Sequence, residues 1–134
     1  MGIEQTQHIH IGHSEIELRT DSIIQIKASS HTYTVKDVKE IHAAIKELVG
    51  SQKSLLLFIA GAYTSINADV REYLSTDEAG DLAIAKAFVI KSLAQRLLLN
   101  FLIKVNGTPV PTQFFTETEA AIDWLTKCNK AKSW

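Results

Sequence analysis

The most constraining stretch of this chain is residues 55–60, LLLFIA, an unbroken apolar run. A strand with one wet face alternates apolar and polar side chains, so an unbroken run marks a strand covered on both sides. It reads as a central parallel strand. Residues 87–90, AFVI, repeat the pattern. Two such strands require a layer on each face, and a mostly parallel sheet with covering helices is the expected solution.

The remaining segments fit around that centre. Residues 15–19, EIELR, alternate strictly, and after the polar break Thr20-Asp21-Ser22 a second strand resumes at residues 23–26, IIQI. The short gap favours an antiparallel hairpin. Thr34 is placed to cap a helix whose Val38, Ile41, Ile45 and Leu48 recur at helical spacing, with Gly50 as its stop. A short helix is expected near residues 69–74, and Ser75 with Glu78 has the spacing to cap a further turn. Ser92 and Gln95 form a capping box for a helix to about Val105, before Asn106-Gly107. The link Thr108-Pro109-Val110-Pro111 lacks two backbone donors and leads to a strand at residues 113–115. Thr116 and Glu119 match a second capping box, opening a last helix with Ala121, Trp124, Leu125 and Cys128 on one face.

The predicted order is β-β-α-β-α-β-α-β-α, a single α/β domain with a mixed, mostly parallel sheet and right-handed crossovers. Residues 1–12 are expected to be a flexible or loosely packed lead-in, residues 13–130 the domain, and residues 131–134 a tail. A chain of 134 residues is long enough to bury its own core. Its 14 basic and 15 acidic residues leave a net charge of −1, which provides no field for nucleic acid. The single Cys128 cannot form an intramolecular disulfide and reads as a small buried thiol. A cytoplasmic location is the default expectation in the absence of a signal-peptide pattern. Met1-Gly2 to Thr6 fits an N-myristoylation pattern, but one acyl chain without a polybasic patch gives no stable membrane anchoring.

The carboxyl-terminal third narrows the fold. Its features are Ser92, Arg96, Asn100-Phe101, the loop from Pro109 to Pro111, Phe115-Thr116, Ala120 and Trp124-Leu125. With the element order, these resemble the SpoIIAA-like branch of the STAS superfamily of anti-sigma-factor antagonists. Residues 68–73, ADVREY, resemble that branch's short second helix. The resemblance spans residues 14–128 and is most specific over the last forty or so. It implies the fold and a non-enzymatic role. The better-understood STAS members are switches, phosphorylated on a serine in an Asp-Ser-x-Gly-type turn at the start of the second helix. Residues 60–67 here, AGAYTSIN, lack both the Asp and the Gly, leaving Ser65 and Thr64 as the nearest phosphoacceptor candidates.

Other surfaces compete for function. HIHIGH, residues 8–13, has the His-x-His-x-Asp-His spacing of metallo-β-lactamase-type hydrolases with Gly12 replacing the Asp. His8, His10 and His13 are thus weak metal candidates, and a metal-dependent hydrolase is a minor alternative. His31 and His42 show no carboxylate or cysteine partner at ligand spacing, so no metal and no cofactor are predicted. No catalytic residues are assigned, because nucleophile, phosphate-loop and Cys-x-x-Cys motifs are absent. Small ligands of open α/β sheets bind beyond the strand carboxyl ends. That edge is expected to gather Ser29, Ser30, His31, Tyr33, Tyr63, Thr64, Ser65, Lys91 and Ser92, with Ser65, Lys91 and Ser92 as ligand or anion candidates.

In the helix over residues 93–105, Ala94, Leu97, Phe101 and Val105 make a core-facing stripe flanked by Leu98. Leu99 and Ile103 then fall on the outer side beside Gln95 and Arg96. Two outward aliphatics one turn apart suggest a covered face, and Leu99, Ile103 and Arg96 are the candidate interface of a homodimer or partner protein. The leading functional expectation is a non-enzymatic regulatory or protein-interaction domain. A small-ligand or lipid-binding module at the strand-end cleft is the alternative.

Overall fold

The structure is a computed structural model, and it describes residues 7–61, 63–74, 76, 81–93, 95–97 and 110–132, with side chains to residue 129. The described strands are β1 (Gln7–Ile11), β2 (Ser14–Leu18), β3 (Ile23–Ala28), β4 (Thr32–Tyr33), β5 (Ser54–Ile59), β6 (Ser65–Ile66), β7 (Ala83–Val89) and β8 (Thr112–Phe115). The helices are α1 (Val35–Val49), α2 (Ala68–Tyr73) and α3 (Thr118–Lys132). The main sheet runs β1-β2-β3-β5-β7-β8. β1, β2 and β3 pair antiparallel, whereas β3, β5, β7 and β8 run parallel.

The apolar run of β5 sits at the centre, as its composition requires. Leu56 faces α1 in a core with Ile16, Ile24, Ile26 and Ile45. Leu55 and Leu57 face α3, against Ile23, Ala85, Ala87, Val89, Ala121 and Leu125. Ala85 and Ala87 leave room for the helix to lie close to the sheet. A register shift at Ser54/Leu55, where Ser54 meets Ala83 and Leu55 meets Ala85, sets this alternation. Phe58, Phe88 and Phe114 stand in register across three parallel strands, their rings 4.7 and 5.3 Å apart.

Helix α1 forms where its sequence signals place it. The Thr34 hydroxyl accepts the Asp37 amide and the Asp37 carboxylate accepts the Thr34 amide, a complete capping box. Gly50 ends the helix at φ 67°, a conformation that favours glycine.

Two expectations are corrected and one pairing is added. Residues 7–11 are not a loose lead-in: they form the edge strand β1, registered on β2 from Gln7 opposite Leu18 to Ile11 opposite Ser14. Ile9 and Ile11 pack on the α1-side core, which holds the strand down. β4 and β6 form a two-stranded parallel ribbon too short to leave a sequence pattern. The last helix starts at Thr118, one residue later than a Thr116 cap would set it. The expected turn at Ser75 and Glu78 lies outside the described residues.

Candidate functional site

The parallel strands β3, β5, β7 and β8 end at Ala28, Ile59, Val89 and Phe115. Antiparallel β2 begins at the same edge, because Ser14 pairs with Ala28. The β1–β2 turn, the loop after β3, the start of α1 and the loop after β5 therefore all arrive at the edge where such sheets bind ligands.

At one corner a histidine is held by a relay. The Tyr33 hydroxyl donates its single proton to the His13 carbonyl and accepts the Ser29 amide at 3.2 Å. Ser14 Oγ lies 2.9 Å from that hydroxyl and must donate to it. Its lone pair is then left to accept a proton from His13 Nδ1, also at 2.9 Å. The ring orientation follows: Nδ1 donates to Ser14, and Nε2 faces Glu40 Oε1 at 2.9 Å and Asp37 Oδ1 at 3.6 Å. One ligating atom from each of His13, Asp37 and Glu40 lies within 4.8 Å of the others, so the three could share one cation.

Asp37 is itself supported. Its Oδ2 accepts from His31 Nε2 at 2.9 Å and from the Thr34 amide at 3.0 Å. Burial raises the Asp37 carboxyl, but hydrogen bonds from His31, the Thr34 backbone and the Thr34 hydroxyl, with the charge of His13, outweigh it and hold it below its ordinary value. The His13 and His31 rings stack at 5.6 Å, and both meet the Tyr33 ring edge-on.

HIHIGH is therefore split between two surfaces. His8 points along the exposed strand to Glu15, 3.2 Å away, and His10 is exposed beside it, so neither joins His13. The expectation that His31 lacks a carboxylate partner is overturned by Asp37, and buried His42 lies against Tyr73 instead. Sequence reasoning missed Asp37 and Glu40. The available signal was their i, i+3 spacing behind the Thr34 cap, which sets both acids on one face of the first turns.

The loop after β5 carries the other candidates. Thr64 is buried; its hydroxyl donates to the Ser29 carbonyl and accepts the Gly61 amide, both at 2.7 Å. That is a structural staple, and it removes Thr64 as an accessible phosphoacceptor. A Cβ at Gly61 would come within 3.1 to 3.3 Å of Thr64 Oγ1, the Ala28 carbonyl and Ser29, so this close approach uses the glycine. Ser65 is exposed and bonds Thr32 Oγ1 at 2.9 Å. Neither residue caps α2, because Asn67 does so through the Val70 amide. Ser92 Oγ accepts the Gln95 amide at 3.3 Å, one half of the expected capping box. Lys91 is exposed, and no contact among the described residues joins it to Ser65 or Ser92.

Beyond this loop the edge also exposes large apolar side chains. Leu93 and Leu97 are each 60% exposed and Tyr63 is 83% exposed. Leu97 was expected in the core stripe; the helix start turns it outward, one turn from Leu93. Gln95 Nε2 donates to the Thr64 carbonyl at 2.8 Å, which fixes the Tyr63 loop beside this helix start. Arg96 is half-buried, and its buried Nε has no hydrogen-bond partner among the described residues. Leu99 and Ile103, the other interface candidates, lie outside the described residues, as do Ala94 in the core stripe and Phe101 and Val105.

No described helix is long and apolar enough to cross a membrane. Comparison with curated proteins finds no match. Among solved structures, an uncharacterised protein of the DUF3478 family from Shewanella loihica PV-4, with a SpoIIAA-like fold, aligns at a TM-score of 0.58 and 17% identity, over 93% of this chain and 98% of that one. A protein of unknown function from Arthrobacter sp. FB24 is 25% identical over 84% of this chain and 92% of that one, with a TM-score of 0.31. The fold is thus SpoIIAA-like, as the carboxyl-terminal features implied. A family model, a domain of unknown function, matches residues 16–129, and the chain belongs to that family, DUF7793.

Proposed function

We propose that this protein is a non-enzymatic, SpoIIAA-like interaction domain that works as a homodimer through the apolar corner of its carboxyl edge. One observation carries the reading: Leu93, Leu97 and Tyr63 are exposed on two segments that the Gln95 to Thr64 hydrogen bond ties together. Large exposed apolar side chains gathered on neighbouring segments are the kind of surface that partners cover. A second copy is the simplest occupant, because a two-fold axis buries the same patch on both subunits. A net charge of −1 sets up little repulsion between copies. The SpoIIAA-like fold supports a role in protein contacts by analogy alone.

Light scattering on the wild type and on Leu97→Asp tests this reading. The expected result is a wild-type dimer and a folded, monomeric variant. Equal masses for the two proteins would count against it. The alternative of a small-ligand module at the same edge is favoured by the polar corner around His13, where side chains from three segments converge. Native mass spectrometry that finds a co-purified small molecule would support that alternative.

A further inference from the structure

We infer that His13, Asp37 and Glu40 form a divalent-cation site at the polar corner of the carboxyl edge, independent of the apolar patch. With Nδ1 committed to Ser14, His13 Nε2 is the ring atom that faces two carboxylates. A proton on Nε2 serves Glu40 at 2.9 Å but reaches Asp37 only at 3.6 Å, so it satisfies one carboxylate and leaves the other. A metal ion serves all three. Ligands about 2.1 Å from an ion are separated by roughly 3.0 to 3.4 Å at octahedral or tetrahedral angles. The observed separations from Nε2, 2.9 Å to Glu40 and 3.6 Å to Asp37, bracket that range.

The surroundings also match a metal centre. A ligating histidine usually donates its second ring N–H to a fixed acceptor, and ligating carboxylates are themselves hydrogen-bonded. Here Ser14 and Tyr33 fix the His13 ring, while His31 and the Thr34 amide hold the outer oxygen of Asp37 and leave the inner one facing His13. The positive end of α1 opposes a cation, but its roughly half charge is outweighed by two full carboxylate charges. One imidazole and two carboxylates, with no sulfur, suit Zn²⁺ or Mn²⁺. The remaining coordination positions would be filled by water or an anionic ligand.

Calorimetric titration of the untagged full-length chain with Zn²⁺, alongside Glu40→Gln, Tyr33→Phe and a His8→Ala/His10→Ala double variant, tests the site. Glu40 is 48% exposed, so its substitution leaves the core intact. The expected result is one Zn²⁺ per chain and a rise in melting temperature on loading. Affinity should fall at least about tenfold in Glu40→Gln, and by about ten- to a hundredfold in Tyr33→Phe, which touches no metal. The double variant should bind like the wild type. Unchanged affinity in Glu40→Gln, loss of binding in the double variant, or no saturable binding by the wild type would overturn the assignment.

Discussion

The two faces of the sheet are filled by different chemistry. Against α3 the core among the described residues is apolar, with Leu55, Leu57, Ala85, Ala87 and Val89 meeting Ala121 and Leu125. The α1 side has its own aliphatic centre, yet it also takes in Ser14, Ser54 and Lys86 from the strands and His42 from the helix. Buried polar groups are costly unless partnered, so they collect where something specific holds them. The α3 face is a foundation, and the α1 face carries the relay that leads to His13.

Removing apolar bulk from the foundation should have the largest effect. Leu125 is fully buried, and Leu125→Ala should cost about 2–5 kcal/mol in urea unfolding, with no change in the polar corner. Lys86 provides the contrasting test on the α1 face. Burial pushes its ammonium down to about 8 from an ordinary 10.5, so between those values the unfolded chain holds the extra proton. Stability should therefore rise with pH across that window, by up to on the order of 3 kcal/mol, with the full penalty present below it. In Lys86→Met the rise should vanish. Equal pH slopes for the two proteins would show that the lysine stays charged in the folded state.

A smaller effect is expected at the relay. Tyr33→Phe leaves Ser14 Oγ and the His13 carbonyl without their shared partner, at a cost of about 1–3 kcal/mol by thermal or urea unfolding. A cost well below that would mean water replaces the hydroxyl, and the polar corner would then be no more specific than the rest of the surface.

The foundation was largely legible from sequence, because its signals are local. The doubly apolar run at residues 55–60, the Thr34 cap, the Gly50 stop and the Ala121/Leu125 face each rest on neighbouring residues. The polar corner was not. His13 and Glu40 are 27 residues apart and meet only because β2 starts at the edge where α1 begins. β1 escaped notice because its outward positions are His8 and His10, which hide the contribution of Ile9 and Ile11. At the apolar corner Leu97, expected in the core stripe, is exposed one turn from Leu93, while the expected outward pair Leu99 and Ile103 lies outside the described residues. Helical phase over a strongly apolar segment is weakly specified by sequence, since several faces can pass as the core.

The proposed role in association rests on the apolar corner. Sedimentation of the wild-type chain over a range of concentrations measures this directly. The expected result is a reversible species of twice the 14.9 kDa chain mass that disappears when Leu93 and Leu97 are both changed to Asp. A wild type that sediments as a monomer at every concentration would contradict it.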